Sequence, residues 1–405
     1  MSESPAFSDY EVNLAAQIPS SAPLFRDDFP VLARSTYLNA AGMGLVPRPV
    51  QNRVASFVAR IGDEGSQAFF DSYDEIMIAP RRAAARLFGA DLRNVAIVNS
   101  ASEAISQFAA WRQPQQHENV VVIDIDHPTT SFPWMRQAEQ TGSEIRFAKV
   151  AHDPASLSFD SIARLVDART AVISLSHVQW VTGYRFDLAA LAELAHAHGA
   201  HLVVDATHSA GIIPIDAPAC GVDLLVTGSF KWLLSYSGTG ACYLRSDVLD
   251  RFRPVMVGSR TAQLEGGQPG AAISSFSLPN DATRLEYGSS AHLLRLGYAA
   301  SIEYLLAAGI ERVASHVQSL GDELIDGIQT LGGTVLTPID RSSRAGIVTV
   351  AFRGRDPREL TAALLERNVV AMQRMEAVRF SPHGYNHSAD IQACLAALEA
   401  ALPSC

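Results

Sequence analysis

The sequence predicts an α/β protein, with a large domain built on a mainly parallel, doubly wound sheet and a smaller C-terminal α+β domain. Three observations lead there. Short apolar runs alternate with helical stretches through the middle of the chain. Several of those runs are apolar at every position, as expected for strands buried on both faces. Beyond about residue 290 the alternation stops and two long helical patterns begin. A chain of 405 residues also exceeds one small core, so two domains are the expectation.

In chain order, strands are expected at residues 95–98, 120–125, 144–149, 171–176, 201–205, 224–227 and 241–244. Helical patterns lie between them, for example residues 188–198, closed by Gly199. Repeated strand–helix alternation means parallel strands joined by crossovers. The stretch 257–275, rich in Gly, Ser and Gln, reads as a loop. Two long helices follow at 292–307 and 310–331, then strands at 334–336 and 346–351 and a helix at 357–366. Strands at 369–372 and 378–380 and a last helix from Ser388 complete the chain. The expected division is a large domain over 37–290 and a small one over 291–405, with 1–36 packing onto the small domain.

Composition narrows the function classes. Hydrophobic residues make up 48% and charged residues 18%, the balance of an ordinary globular protein. A net charge of −10 argues against a nucleic-acid partner, which selects for a basic stripe. No run of about 18 apolar residues occurs, so no membrane association is expected. Cys220, Cys242, Cys394 and Cys405 are scattered. They form neither a zinc pattern nor a disulfide framework, and a reducing cytoplasm is the expected location. The N-terminus lacks the basic start and apolar core of a secretory signal. His196 and His198, two apart, point to different helix faces, so no metal site is expected in the run ending at His201.

Only Lys149 and Lys231 are lysines among the 32 basic residues. Chemistry that needs a primary amine therefore has two candidates. The strand HLVVDA ends in Asp205, and Lys231 follows the next strand in Ser229-Phe230-Lys231-Trp232. Ligands of open parallel sheets bind outside the carboxyl ends of the strands. An acid and an amine converging there suit pyridoxal 5'-phosphate (PLP): the lysine forms a Schiff base, and the acid pairs with the protonated pyridine nitrogen. The plain alternative is a helix-capping aspartate and a solvated lysine.

The order of these features resembles the aminotransferase class V family of fold-type I PLP enzymes. That family includes cysteine desulfurases, isopenicillin N epimerase-like proteins and carbon–sulfur lyases. Its pattern of Asp, then His or Gln, then Lys is matched by Asp205-Ala206-Thr207-His208 and Lys231. The resemblance implies that His208 hydrogen-bonds the cofactor's phenolic oxygen. Ser100-Ala101-Ser102-Glu103-Ala104 looks like the family's phosphate loop. Its helix start would offer the N–H groups of Ala101 and Ser102 to a dianion. His127, in Asp126-His127-Pro128, is placed to stack on the pyridine ring. Gln179, in Ser176-His177-Val178-Gln179, is the residue expected to face the cofactor, and Ser229 is a candidate phosphate contact. Ser289, in Arg284-Leu285-Glu286-Tyr287-Gly288-Ser289, resembles the hydroxyl residue that reaches the neighbouring subunit's phosphate, which implies a homodimer.

Arg379, in Val378-Arg379-Phe380-Ser381 with Tyr385-Asn386 beyond it, resembles the arginine that holds the substrate α-carboxylate, a natural bidentate pairing. Tyr37-Leu38-Asn39-Ala40-Ala41-Gly42 is similar to the strand and turn that close over the active site, and Asn39 is its candidate substrate contact. The family's desulfurases carry a nucleophilic cysteine shortly before that arginine. Residues 368–379 (NVVAMQRMEAVR) contain none. The resemblance therefore implies a PLP enzyme acting at Cα of an amino-acid-like substrate, with β-elimination favoured over persulfide formation and transamination or epimerisation as alternatives. Trp180, Tyr236 and residues 373–377 are the expected lining for the substrate side chain. A nicotinamide-dependent oxidoreductase would need a glycine fingerprint that Gly238-Thr239-Gly240 does not supply. A non-catalytic regulator on this fold would have dispensed with Lys231 or Asp205.

Overall fold

Seven strands form the central sheet: β2 (Val95–Val98), β3 (Asn119–Ile123), β4 (Glu144–Ala148), β5 (Thr170–Ser176), β6 (His201–Asp205), β7 (Leu224–Gly228) and β8 (Gly240–Leu244). They precede a smaller sheet, and a short strand β1 (Thr36–Tyr37) comes first in the chain. The computed structural model describes residues 24–261, 263–264 and 275–402. The expectation of a segment 1–36 packed on the small domain lies partly outside these residues, as does most of the loop expected at 257–275. Within that stretch β9 (Gln263–Leu264) pairs antiparallel with β10 (Phe276–Ser277). Among the described residues no single helix is long and apolar enough to cross a membrane.

The central order is β2-β8-β7-β6-β5-β3-β4. Strands β4, β3, β5, β6 and β7 run parallel. β8 runs antiparallel to both β7 and β2. The reason lies in the connection. Residues 229–239 carry no helix, and a parallel return needs a crossover of about a dozen residues or more, normally helical. Successive residues of each strand enter opposite cores. Val121, Ile123, Leu202 and Val204 face the layer that holds Leu191 and Ile302. Val120, Val122 and Val203 face the layer with Ile105, Phe108 and Trp134. Two-sided burial is why these runs are apolar at every position.

The C-terminal part splits between two cores. Helix His292–Ala308 puts Tyr298, Ile302 and Leu305 into the central sheet's core. Helices Ile310–Thr330, Pro357–Glu366 and Ser388–Ala401 cover a second sheet through Leu324, Leu364 and Leu398. That sheet holds β11 (Thr334–Val335), β12 (Val348–Ala351), β14 (Met372–Arg374) and β15 (Ala377–Phe380), in the order β11-β12-β15-β14 and antiparallel throughout. β1 pairs in parallel with β13 (Val369–Val370). Ahead of β1, Arg26 forms an ion pair of 2.6 Å with Asp390, and the Phe29 and Tyr385 rings lie 4.8 Å apart.

The turn after β1 grips the loop between β7 and β8. Gly44 N donates to Phe230 O at 2.8 Å. A Cβ at Gly44 would stand 1.9 Å from the carbonyl oxygen of Lys231, with backbone on both sides of the clash. Gly44→Ala is therefore expected to cost about 1–3 kcal/mol, the scale of overpacking. It should also displace Lys231. Thermal unfolding and cofactor absorbance measured on the same sample check both; a variant with wild-type values for each would show that the contact is not restrictive.

Candidate active site

A cavity of about 210 Å³ opens at the carboxyl ends of β6 and β7, lined among others by Ala101, Ser102, His127, Asp205, His208 and Lys231. They arrive from four segments, a helix start and the ends of β3, β6 and β7, in the crevice where open sheets bind ligands. Ser100 caps the helix Ala101–Arg112 by accepting from Glu103 N at 3.1 Å. The amides of Ala101 and Ser102 precede the first intrahelical acceptors and remain available to an anion.

Lys231 is half-buried at the cavity, and burial pushes its amine down to about 8. Asp205 pulls the other way, while Arg379 and Arg374 reinforce the lowering. The Lys231 Nζ lies 3.0 Å from His208 Nε2. On the far side of that ring, Trp232 Nε1 donates to His208 Nδ1 at 3.3 Å. Nδ1 is thereby fixed as the acceptor, so the proton of the neutral imidazole sits on Nε2. Burial first, and the nearby cation of Lys231 second, hold His208 well below the usual histidine range. His208 thus presents an N–H donor to the cavity.

Asp205 is 5% exposed, and its Oδ1 accepts from Thr207 N at 2.8 Å. Among the described residues Oδ2 has no hydrogen-bond partner. His127 Nδ1 accepts from Thr129 N at 3.3 Å, and its ring meets Trp180 edge-on at 5.8 Å. Burial lowers the His127 pKa, with Asp205 opposing. The preceding Asp126 is held by Ser176 N and Oγ, both at 2.7 Å, and donates a fixed backbone to His127. Burial still raises its carboxyl to about 6.

Arg379 reaches the same region from β15. It is fully buried, and Nη1 donates to Trp180 O at 2.8 Å. Its Nε and Nη2 have no partner. Burial lowers this guanidinium to about 9, and Arg374 adds to the effect. Two such buried N–H groups on one planar fork suit a carboxylate. Asn39 is buried near the β1 end with its Oδ1 unpartnered.

Three candidates are placed differently. Gln179 spends its side chain on protein groups, donating to Ile125 O at 2.9 Å and accepting from Val181 N and Thr182 N at 2.7 Å. Ser229 is fully buried and donates to Tyr236 O. Ser289 lines a neighbouring cavity of about 300 Å³ that shares Asn99, Gly238 and Thr239 with the first. The sequence reading did not single out Thr129, whose hydroxyl is 2.7 Å from Ser102 Oγ, or Trp232 as the group that orients His208. Trp232 stood next to the lysine, but nothing in a one-dimensional pattern shows which ring nitrogen it meets.

The donor set fits PLP: an amine for its aldehyde, a carboxylate for its ring nitrogen, an N–H donor for its phenolic oxygen and free helix N–H groups for its phosphate. Similarity to known proteins agrees. The chain is 27% identical to the aminotransferase YcbU of Bacillus subtilis over 89% of this chain and 93% of that protein. It is 27% identical to a probable cysteine desulfurase of Methanothermobacter thermautotrophicus over 91% and 94% of the two chains. It is 27% identical to the isopenicillin N epimerase of Streptomyces clavuligerus over 82% and 84%. The fold matches the cystine C–S lyase C-DES in complex with cysteine persulfide at a TM-score of 0.83, with 22% identity over 92% of this chain and 99% of that chain. The family model for aminotransferase class-V covers residues 36–393, and the chain belongs to that family of PLP-dependent, fold-type I enzymes.

Proposed function

We propose that this PLP-dependent enzyme acts at Cα of an amino acid and completes a β-elimination of the carbon–sulfur lyase type rather than forming a protein persulfide. The observation that carries the reading is the hairpin before Arg379. Arg374 pairs with Ala377, so β14 and β15 are joined by only Met375 and Glu376. This connection is short and bears no thiol. Among the described residues, Cys242 and Cys394 are buried in the cores and Cys220 packs beside the central sheet's core.

Bound PLP supplies an electrophilic carbon for amines and a conjugated ring that accepts the electron pair released at Cα. The protein's part is positioning and proton transfer. Arg379 anchors the α-carboxylate with its two open N–H positions. Lys231 would hold PLP through its amine and, when free, would take the α-proton; its lowered pKa leaves a useful neutral fraction near neutrality. Asp205 would pair with the ring nitrogen of PLP, His208 would donate to its phenolic oxygen, and His127 would lie against one face of the ring. Ala101 and Ser102 receive the phosphate. Ser289 lines the adjoining cavity and not the one around Lys231, which supports a homodimer in which it would reach the neighbouring subunit's phosphate.

Borohydride should fix the cofactor on Lys231, as read by peptide mass. In cofactor-free protein, the rate of PLP capture should rise with pH through about 8, because only the neutral amine attacks; a midpoint near that of a free lysine would contradict the buried position. Asp205→Asn should keep cofactor but lose about 3–4 kcal/mol of transition-state stabilisation, measured as kcat/KM. Incubation with S-substituted cysteines tests the reaction class. Pyruvate is the expected product. Alanine with a persulfidated protein indicates a desulfurase, solvent deuterium at Cα without cleavage an epimerase, and keto-acid-dependent turnover an aminotransferase.

A further inference from the structure

The site has one guanidinium more than an α-carboxylate requires. β14 and β15 are antiparallel with Met372 opposite Arg379 and Arg374 opposite Ala377. Side chains two apart on a strand share a face, and directly opposed residues share it too. Arg374 and Arg379 therefore project from the same face as diagonal neighbours, with Cα atoms about 7–8 Å apart in such a pair. The face they share is the one that meets Trp180. Arg379 donates to the Trp180 carbonyl at 2.8 Å, and the Arg374 guanidinium lies over the Trp180 ring, 5.1 Å from its centre.

Trp180 is itself fixed against the site. Its Nε1 donates to Ile125 O at 2.7 Å and its ring abuts His127. A stacked guanidinium keeps its edge free for in-plane hydrogen bonds. Arg374 uses Nη1 on the neighbouring Gln373 carbonyl at 3.0 Å, and its Nε is buried without a partner. No carboxylate among the described residues pairs with either arginine. The charge of Arg374 is felt at Lys231, His127, His208 and Arg379, all of which it disfavours as cations. Two like charges held on one face, Arg379 fully buried and Arg374 half-buried, one with partnerless Nε and Nη2 and the other with a partnerless Nε, are an arrangement that a ligand with two anionic groups relieves.

We propose that Arg374, stacked on Trp180, is a specificity residue that binds a second anionic group at the end of the substrate side chain, so that the preferred substrates are amino acids with an acidic side chain. The inference rests on the reading that this site takes an amino acid at Arg379, and it is independent of the reaction that follows. Arg379 holds the α-carboxylate and Arg374 the distal carboxylate or an equivalent oxyanion. A neutral side chain of the same shape leaves the Arg374 edge unpaired, which selects against it.

The test uses the holoenzyme and matched acid–amide pairs: L-aspartate with L-asparagine, L-glutamate with L-glutamine, and S-carboxymethyl-L-cysteine with its amide. Binding is measured by calorimetry and by the change in cofactor absorbance. In at least one pair the acid should bind about tenfold or more tightly than its amide, the scale of one charge-assisted bond. Arg374→Met should collapse that ratio to near one, and Arg374→Lys should retain part of it, whereas Arg379→Met should weaken both members of the pair together. Equal affinities within every pair for the unmodified enzyme, or an Arg374→Met variant that weakens acid and amide alike, overturns the proposal while the amino-acid reading stands. No response to any amino acid overturns both.

Discussion

The loop that carries Lys231 is held by its own backbone carbonyls, and the rest of the active site is referenced to it. Phe230 O accepts from Gly44 N at 2.8 Å, Lys231 O from Leu234 N at 3.1 Å, and Trp232 O from His383 Nε2 at 3.0 Å, while Leu233 O accepts from the hydroxyl of Ser301. The four donors belong to the N-terminal turn, the loop itself, the small domain and the helix His292–Ala308. Leu234 takes a φ of 54° to complete the loop, a conformation that costs a side-chain-bearing residue free energy and persists only where the surroundings enforce it. A buried lysine with this many independent anchors is preorganised before any ligand arrives.

Charge follows from that placement. Burial disfavours the cationic forms of Lys231, His208 and His127 together, and Asp205 is the group that opposes this for Lys231 and His127. The neutral form of His208 is reinforced by geometry, because Trp232 occupies Nδ1 as a donor. One tryptophan therefore sets the tautomer of one histidine and stacks on another, His383, at 5.6 Å between ring centres. The N–H that His208 turns toward the cavity and the packing of His383 share a single side chain.

Much of this was legible in the sequence, and the reasons differ by element. The parallel strands were readable because two-sided burial leaves an unbroken apolar run, as in HLVVDA. The antiparallel course of β8 was not read, although the eleven helix-free residues between Gly228 and Gly240 carried the signal. Lys231 and Asp205 stood out because amines are scarce in this chain and both close a strand. Gln179 and Ser229 show the limit of motif matching: a polar residue at the expected position turned its hydrogen bonds to Ile125 and Tyr236. Arg374 was visible only as part of a lining loop. Its alignment with Arg379 depends on the β14–β15 register, which a sequence pattern does not fix.

The same scarcity of lysine gives the buried amine a use outside catalysis. Lys149 is exposed on the rim beyond β4, and Lys231 is the other lysine of the chain. A preparation grown on lysine enriched with nitrogen-15 at the side chain would carry one solvent-averaged resonance and one sheltered beside an imidazole. The second would report the protonation of the active-site amine directly, in a protein of this size, without any substitution in the chain.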